Sequence, residues 1–320
     1  MTKFKVLSLD GGGVRGYLSI LILEKIEKAL NRRLNEEKPI GERFDLIIGT
    51  STGGIIAAGL SIHKSAQEIR KLYEKMMSKI FISISKGINK PKYSHSTLKK
   101  LLKEILQDKT LNDVKTHLCI TSVDVATSKP KFFKSPYLEI YHQRADEKLV
   151  DIALATSAAP IFFPLVNTTY ANFLADGGLI ANNPSMIGVM EGYKVTKDFN
   201  KIRLLSIGTG EIGKMPYNVK KIEKYGGILS WALNKSPQEI MSILIKKEIV
   251  IPLIEVLINS QSKLINYQLE TLLKEEHYLR INPILTQDIS LDEVEKIDIL
   301  KNLASIADSE KTVKKVLSLL

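Results

Sequence analysis

The stretch Gly49-Thr50-Ser51-Thr52-Gly53 follows the apolar run 44–48 and precedes a helix-like segment. A serine with glycine two residues before and two residues after it, on a turn between a strand and a helix, is typical of a nucleophile elbow. The turn is sharp, and a side chain at Gly49 or Gly53 would collide with the neighbouring strand or helix. It lifts the Ser51 hydroxyl clear of the sheet and places it at the positive end of the helix dipole. The sequence therefore predicts that Ser51 is a nucleophile at the end of a β-strand.

Short β-like runs alternate with longer helical patterns, which predicts an α/β fold with a mainly parallel sheet flanked by helices. The spacing of leucine and isoleucine predicts a helix over 98–106, and the basic stretch 85–95 is predicted to be a loop. Ser290 and Glu293 have the spacing of a capping box that opens a helix. The predicted strands are 5–9, 44–48, 118–123, 172–175, 203–207 and 278–281.

Length alone suggests about two domains. We nevertheless expect residues 1–320 to form one, because residues near 11, 51 and 176 must meet at one site and predicted strands continue to about 281. Segment 214–275 is predicted to be a helical cap, and segment 286–320 to form C-terminal helices that pack over the sheet. Within the cap, Trp231 and the segment 243–258 also admit a second interpretation. They suit a mobile lid or a membrane-facing surface, since tryptophan and lysine favour the membrane–water interface.

The composition, 44% hydrophobic and 25% charged, is that of a soluble globular protein. The single cysteine, Cys119, lies in an apolar run, where we expect a small core residue in a reducing compartment. Residues 3–9 have the pattern of a strand, not of a signal peptide, and no transmembrane segment is predicted. We expect a cytoplasmic protein, peripheral at membranes, and secretion as an effector stays open.

The net charge of +11 favours contact with anionic surfaces. The sequence contains no zinc-finger spacing, no aromatic RNA-binding motif and no arginine cluster. An anionic lipid surface is therefore the expected partner, and nucleic acid is not.

The first predicted strand is followed by the glycine-rich loop Asp10-Gly11-Gly12-Gly13-Val14-Arg15-Gly16. Three successive glycines allow backbone N–H groups to converge on one point, where they would stabilise an oxyanion. Arg15 would neutralise a phosphate or orient the loop. The same loop fits the dinucleotide-binding pattern G-x-G-x-x-G. No acidic residue ends a second strand at the expected distance, and a nucleotide site would leave the Ser51 elbow unexplained, so this alternative is the weaker one.

An activated serine also needs a base. The histidines are His63, His95, His117, His142 and His277, and only His277 comes late enough for the order Ser, Asp, His. His277 begins a strand-like run without loop residues around it, which favours a strand-edge position. Asp176 is the better candidate, because it ends a predicted strand and ligands gather at strand ends in open α/β sheets. Gly177 and Gly178 let the chain turn away there, although in isolation this motif indicates only a turn.

Taken in order, the motifs at 10–16, 49–53 and 176–178 resemble those of the patatin-like phospholipase family. The similarity is close over about residues 3–210 and looser to about 285. It implies a patatin-like fold, related to the three-layer α/β-hydrolase folds, and a serine esterase that cleaves fatty-acyl esters of phospholipids or related glycerolipids. It also extends through Ala155-Thr156-Ser157-Ala158-Ala159-Pro160, Phe163-Pro164, Asn182-Asn183-Pro184 and Ile207-Gly208-Thr209-Gly210.

The resemblance also implies the role of each residue. Ser51 would be the nucleophile and Asp176 the general base and acid of a Ser-Asp dyad, with no metal or other cofactor. The oxyanion hole would comprise Gly11, Gly12, Gly13 and Arg15, in which the N–H groups of Gly12 and Gly13 are the donors and Arg15 supports the loop. Structural support would come from Gly49, Gly53, Gly177 and Gly178. An acyltransferase with the same dyad, a nucleotide-binding module and a non-catalytic storage or interaction protein stay as alternatives. An activator, such as a host factor or a small nucleotide, stays as a further partner.

Overall fold

The computed structural model describes residues 3–82, 84–85, 90–213, 217–225, 231, 252–287 and 289–320. The strands are β1 (Phe4–Leu9), β2 (Leu46–Thr50), β3 (His117–Asp124), β4 (Lys129–Lys134), β5 (Leu174–Asp176), β6 (Ile202–Ile207), β7 (Glu211–Ile212), β8 (Tyr278–Ile281) and β9 (Ile284–Leu285). The helices are α1 (Gly16–Leu34), α2 (Thr52–Ser61), α3 (Ala66–Ile80), α4 (His95–Leu106), α5 (Leu149–Thr156), α6 (Gly178–Ala181), α7 (Ser185–Thr196), α8 (Val219–Tyr225), α9 (Pro252–Leu272), α10 (Ile297–Leu303) and α11 (Glu310–Leu319).

The central sheet has the strand order β4-β3-β2-β1-β6-β8. The five strands from β3 to β8 in this order are parallel, and β4 pairs antiparallel with β3 at one edge. The structure confirms the mainly parallel α/β sheet. Sequence reasoning missed β4, whose residues Lys129–Lys134 contain three lysines and a proline. Proline is tolerated in a strand at the edge of a sheet, because no neighbouring strand needs its missing N–H group.

Helices cover both faces of the sheet, which gives three layers. Leu7, Ile47 and Ile120 belong to a core that also contains buried residues of α1, α2, α3 and α5. The alternate residues Val6 and Ile48 point to the other face and share a second core with α7 and α9. Buried Cys119 belongs to this second core, as expected. Burial on both faces explains why these strands read as continuous apolar runs.

The position of the short strand β5 determines where Asp176 lies. β4 pairs with residues 119–124 of β3, so β5 must pair with the opposite edge of β3. On that edge, β2 pairs with β3 as far as Thr50 opposite Thr121. β5 pairs with the residues of β3 that follow Thr121, with Asp176 opposite Ser122. Asp176 therefore lies beyond the end of β2, next to the residue that follows Thr50.

Several predicted boundaries were wrong. The second strand is Leu46–Thr50 and not 44–48, because Thr50 still pairs with β3 while Asp45 uses its carboxylate to accept the Lys5 N–H. The predicted loop 85–95 ends one residue early, since His95 begins α4 with Ser94 as its N-cap. Residues 86–89 of that loop lie outside the described residues. The other predicted strands that the structure contains differ from the observed ones by two residues or fewer at either end.

The predicted capping box at Ser290 does not open a helix. Its Ser290 N–H donates to Glu293 Oε2 at 3.1 Å, but α10 begins only at Ile297, after a 3₁₀ turn over Val294–Lys296. The region 286–320 does contain α10 and α11, whose buried residues Leu300 and Val316 belong to the core.

The predicted cap over 214–275 is described only in part, as α8, residue 231 and α9. Its segments 214–216, 226–230 and 232–251 lie outside the described residues, so most of the predicted membrane-facing stretch 243–258 does too. Within the described residues, no helix combines the length and apolar character needed to cross a bilayer.

Candidate active site

Ser51 lies on the sharp turn between β2 and α2. Its φ of 54° and ψ of −125° are values that a residue with a side chain rarely adopts, and it is the only residue between the strand and the helix. The flanking glycines make this turn possible. A Cβ at Gly49 would lie 2.3 Å from the Gly53 oxygen, and one at Gly53 would lie 2.4 Å from the Leu9 oxygen. Because both contacts are with backbone atoms, no side-chain rotation would relieve them.

The Ser51 hydroxyl donates a hydrogen bond to Asp176 Oδ2 at 2.6 Å. The other carboxylate oxygen, Oδ1, accepts the Gly178 N–H at 2.7 Å. Both side chains are buried, with 9% and 6% of their surface exposed. The structure thus brings together two residues that are 125 positions apart in the chain.

Burial raises the pKa of Asp176 from 3.8 to about 6, although the hydrogen bonds from Ser51 and Gly178 act in the opposite direction. Removal from water disfavours the charged form of a carboxyl group. The shift brings its pKa close to neutral pH, where a carboxylate is a better proton acceptor than an ordinary aspartate.

Gly177 is required for the chain to leave β5 at this point. A Cβ there would lie 2.1 Å from Thr121 Oγ1 and 2.5 Å from the Thr121 carbonyl oxygen. Gly178 has more space, because its Cβ would approach Asp176 Oδ1 at 3.1 Å. The two glycines therefore support the carboxylate in different ways. Gly177 permits the close packing of the turn, and Gly178 donates its N–H.

The glycine-rich loop lies directly against Ser51. A Cβ at Gly11 would lie 3.2 Å from the Ser51 Cβ, and the Gly11 N–H donates to the Asn182 oxygen at 3.0 Å. The Gly11 N–H is therefore not available to an oxyanion. Among the described residues, no acceptor is found for the N–H groups of Gly12 and Gly13. These two groups are the available donors.

The conformation of Gly13 is held by contacts on both sides. Its φ is +55°, which favours glycine, and the Tyr73 hydroxyl donates a short hydrogen bond to its carbonyl oxygen. The next N–H, that of Val14, donates to the Leu291 oxygen at 2.8 Å. Arg15 is buried at the end of the loop and lines the same cavity as Ser51.

Ser51 and Asp176 lie at a cavity of about 120 Å³ with mainly apolar walls. Gly12, Gly13 and Arg15 also line it. The apolar lining comes from α2, α3 and the residue after it, α4, the segment 159–163, α9 and residue 291. It includes Ile55, Met77, Ile80, Phe81, Leu98, Phe162, Phe163, Ile254, Ile258 and Leu291. Such a wall suits a hydrocarbon chain, whose burial is favourable by about 0.8 kcal/mol per CH₂ group.

No histidine is among the described residues that line this cavity. His277 is buried in a 3₁₀ turn before β8, where burial lowers its pKa. His95 stacks on Phe163 with ring centroids 5.2 Å apart, and burial lowers its pKa to about 4. The position of His277 before a strand agrees with the sequence interpretation.

Sequence reasoning missed several residues that hold the site. Thr156 Oγ1 accepts the Ser51 N–H at 2.8 Å, and Tyr73 contacts both Gly13 and Thr52. Arg280 forms a buried ion pair with Asp10. Thr156 lies in a stretch that the resemblance had singled out. The others have no local sequence signal, because their partners are more than 20 residues away.

The site thus combines a serine hydroxyl bonded to a buried carboxylate with two backbone N–H groups that have no acceptor among the described residues, at the strand ends of an α/β sheet. The family model of the patatin-like phospholipases matches residues 7–188. The chain belongs to this family, as its motifs predicted.

Among curated proteins, a "cGAMP-activated phospholipase" of Escherichia coli (strain TW11681) is 39% identical over 221 residues. The similarity covers 65% of this chain and 62% of the relative. A protein of the same description from Vibrio cholerae is 37% identical, with 65% of this chain and 64% of the relative covered. This chain thus matches less than two thirds of the length of these relatives. "Patatin-like protein 1" of Arabidopsis thaliana is 31% identical, over 96% of this chain and 81% of its own.

Proposed function

We propose that this protein is a lipid acyl hydrolase that cleaves fatty-acyl esters of phospholipids or related glycerolipids through a Ser-Asp dyad. The observation that carries the proposal is the 2.6 Å hydrogen bond from Ser51 to buried Asp176 at an apolar cavity. The family and the names of the relatives support the same class of substrate.

In the first half of the reaction, Ser51 Oγ attacks the ester carbonyl carbon while Asp176 accepts the hydroxyl proton. The N–H groups of Gly12 and Gly13 stabilise the negative charge on the carbonyl oxygen. The C–O bond to the alcohol then breaks, and the proton on Asp176 passes to the departing alkoxide. The fatty acid stays esterified to Ser51.

In the second half, Asp176 accepts a proton from water, and the hydroxide attacks the acyl-enzyme carbonyl. The proton returns to Ser51 as the fatty acid leaves. A carboxylate with a pKa near 6 is a weaker base than imidazole at its usual pKa, but it suits an ester, whose alkoxide leaves more readily than an amine.

The test is covalent labelling with a long-chain fluorophosphonate, together with release of fatty acid from phospholipid vesicles. We expect labelling of Ser51 and its loss in Ser51→Ala, with turnover reduced at least about a thousandfold in Ser51→Ala and Asp176→Asn. Ser61→Ala is the matched control. Its hydroxyl is buried at the other end of α2, where it donates to the Ala58 oxygen. Equal turnover by the wild type and both site variants would refute the dyad.

The same experiment separates hydrolysis from acyl transfer. With an added alcohol or lysolipid acceptor, a hydrolase continues to release mainly free fatty acid. A product in which the acyl group resides on the acceptor would instead identify an acyltransferase that uses the same acyl-enzyme.

We propose that α9 brings the cavity to an anionic lipid surface. One face of this helix lines the cavity with Ile254 and Ile258, while Leu257, Leu264 and Tyr267 are 50%, 55% and 68% exposed. These three residues fall within about 80° of one another around an ideal helix, so their apolar side chains lie on one face of it. The net charge of +11 supports an anionic partner.

Vesicle co-sedimentation tests this surface. The double substitution of Leu257 and Leu264 by glutamate is expected to weaken binding to anionic vesicles, while turnover of a soluble short-chain ester persists. Ile306→Glu, at a 48% exposed residue between α10 and α11, is the control. Unchanged binding by the double variant would refute the assignment.

An activator is also proposed, because two relatives are described as cGAMP-activated phospholipases. We expect cGAMP to raise the turnover of vesicle substrate at least about tenfold, with GMP as the control nucleotide. Turnover that does not respond to cGAMP would refute this. The glycine-rich loop is not the expected nucleotide site, since Gly11 packs against Ser51 and Asn182.

A further inference from the structure

A buried ion pair connects the glycine-rich loop to the edge strand β8. Asp10 directly follows β1 and is 3% exposed. Its carboxylate accepts two hydrogen bonds from Arg280, with Nη1 to Oδ1 at 3.1 Å and Nη2 to Oδ2 at 2.5 Å. Two parallel bonds between a planar guanidinium and a carboxylate fix both the distance and the orientation of the groups. Arg280 thus holds the Asp10 side chain in one orientation.

Arg280 reaches Asp10 across an intervening strand. β6 lies between β1 and β8, and the register aligns Ser206 of β6 with both Ser8 and Arg280. Arg280 Nη1 also donates to Ser206 Oγ at 2.6 Å, which anchors the guanidinium on β6. Arg280 lies outside the residues 7–188 that the family model matches. The C-terminal part of the chain therefore supplies this support.

Neighbouring backbone groups hold the strand side of the loop as well. The Asp10 N–H donates to the Ile207 oxygen at 3.1 Å, and the Gly11 N–H donates to the Asn182 oxygen at 3.0 Å. The next N–H, that of Gly12, is the first one without an acceptor among the described residues. Since the direction of this N–H depends on the dihedral angles of Asp10 and Gly11, a rotation at Asp10 would turn it away from the carbonyl of a substrate.

Stability is a poor explanation for this ion pair. Desolvation of two charges offsets much of their attraction, and a well-packed apolar pair is often as stable or more stable. A pair of this kind does, however, specify geometry. We propose that Arg280 is a positioning residue that aligns the oxyanion loop through Asp10. The proposal rests on the acyl hydrolase function proposed above.

Kinetics with a soluble p-nitrophenyl ester test the proposal. Arg280→Met is expected to lower kcat about 10–100-fold and to change KM less than about twofold, because a donor misplaced by about 1 Å loses much of its effect on the transition state. Arg280→Lys retains the charge but not the two parallel bonds, and should lie between Arg280→Met and wild type. Arg203→Met is the control. Its guanidinium donates to the carbonyl oxygens of Asn200 and Ile202, and it does not line the cavity.

Two further measurements separate positioning from a loss of folding. If the ion pair acts as a unit, Asp10→Asn combined with Arg280→Met should reduce kcat no more than the larger single effect. Guanidinium ion at about 10 mM, far below its denaturing range, should raise kcat of Arg280→Ala severalfold without affecting Asp176→Asn.

The outcomes distinguish the two proposals. A wild type that neither labels at Ser51 nor turns over ester overturns the hydrolase function, and the role of Arg280 with it. An active wild type with unchanged kcat in Arg280→Met overturns the role of Arg280 alone. So does a folded Arg280→Ala variant of low kcat that guanidinium does not rescue, or additive losses in the double variant.

Discussion

The substitution Asp176→Asn is expected to abolish activity and yet to stabilise the fold at neutral and alkaline pH. Asparagine has the shape of aspartate, so its amide oxygen and nitrogen can keep the hydrogen bonds with the Gly178 N–H and the Ser51 hydroxyl. What it removes is a buried negative charge and the ability to accept a proton. The raised pKa of Asp176 indicates that the fold disfavours this charge.

The magnitude follows from the pKa shift. The pKa of Asp176 rises from its ordinary value of 3.8 to about 6 in the folded protein, a difference of roughly two units. At about 1.4 kcal/mol per unit, ionisation of Asp176 lowers the free energy of unfolding by about 3 kcal/mol. Because the folded pKa is raised, the stability that the protonated carboxyl group contributes is fully present below pH 3.8 and is lost as the pH rises through about 6. The asparagine side chain of the variant does not ionise, so the variant avoids the loss.

Urea unfolding of the wild type and Asp176→Asn between about pH 5 and pH 8 measures the difference. The variant should be more stable than the wild type by about 3 kcal/mol at about pH 8, and its advantage should shrink as the pH falls. Asp113→Asn is a control of opposite sign. Hydrogen bonds from the backbone N–H and the hydroxyl of Thr110 lower the pKa of Asp113, so this substitution should destabilise the protein at about pH 8. A stability difference between Asp176→Asn and wild type that does not change with pH would refute the reasoning.

Three further predictions concern activity and folding. The value of kcat/KM should rise with pH with an apparent pKa of about 6, because in the proposed mechanism only ionised Asp176 accepts the Ser51 hydroxyl proton. A profile that is flat from about pH 5 to pH 8 would contradict this. Gly53→Ala should lower the free energy of unfolding, measured in urea, by more than about 3 kcal/mol, because the new Cβ would lie 2.4 Å from the Leu9 oxygen. A decrease of less than about 1 kcal/mol would be inconsistent with that contact. Ser65→Ala should lower the free energy of unfolding by about 1 kcal/mol and leave kcat unchanged, because the substitution breaks the capping box with Glu68 at the start of α3. An unchanged urea midpoint would contradict this prediction.

The amino-acid sequence by itself determined the features that depend on local backbone geometry. The Ser51 turn was predictable because a sharp strand-to-helix turn admits only glycine at Gly49 and Gly53, and the contacts of both positions show why. The mainly parallel sheet was predictable because strands buried on both faces read as apolar runs between helical patterns. The order of the three motifs identified the family.

Tertiary structure decided which distant residues meet. Asp176 reaches Ser51 because β5 pairs antiparallel with β3 just beyond the end of β2. The pairing register of such a three-residue strand has no local sequence signal. Arg280 is paired with Asp10, 270 positions away in the chain, and this contact depends on the placement of β8 beside β6. The Gly11 N–H is unavailable to an oxyanion for the same reason, since it donates to the Asn182 oxygen in another part of the chain. Hydrogen bonds of this kind depend on how distant parts of the chain pack together, so a local pattern of residue types does not predict them.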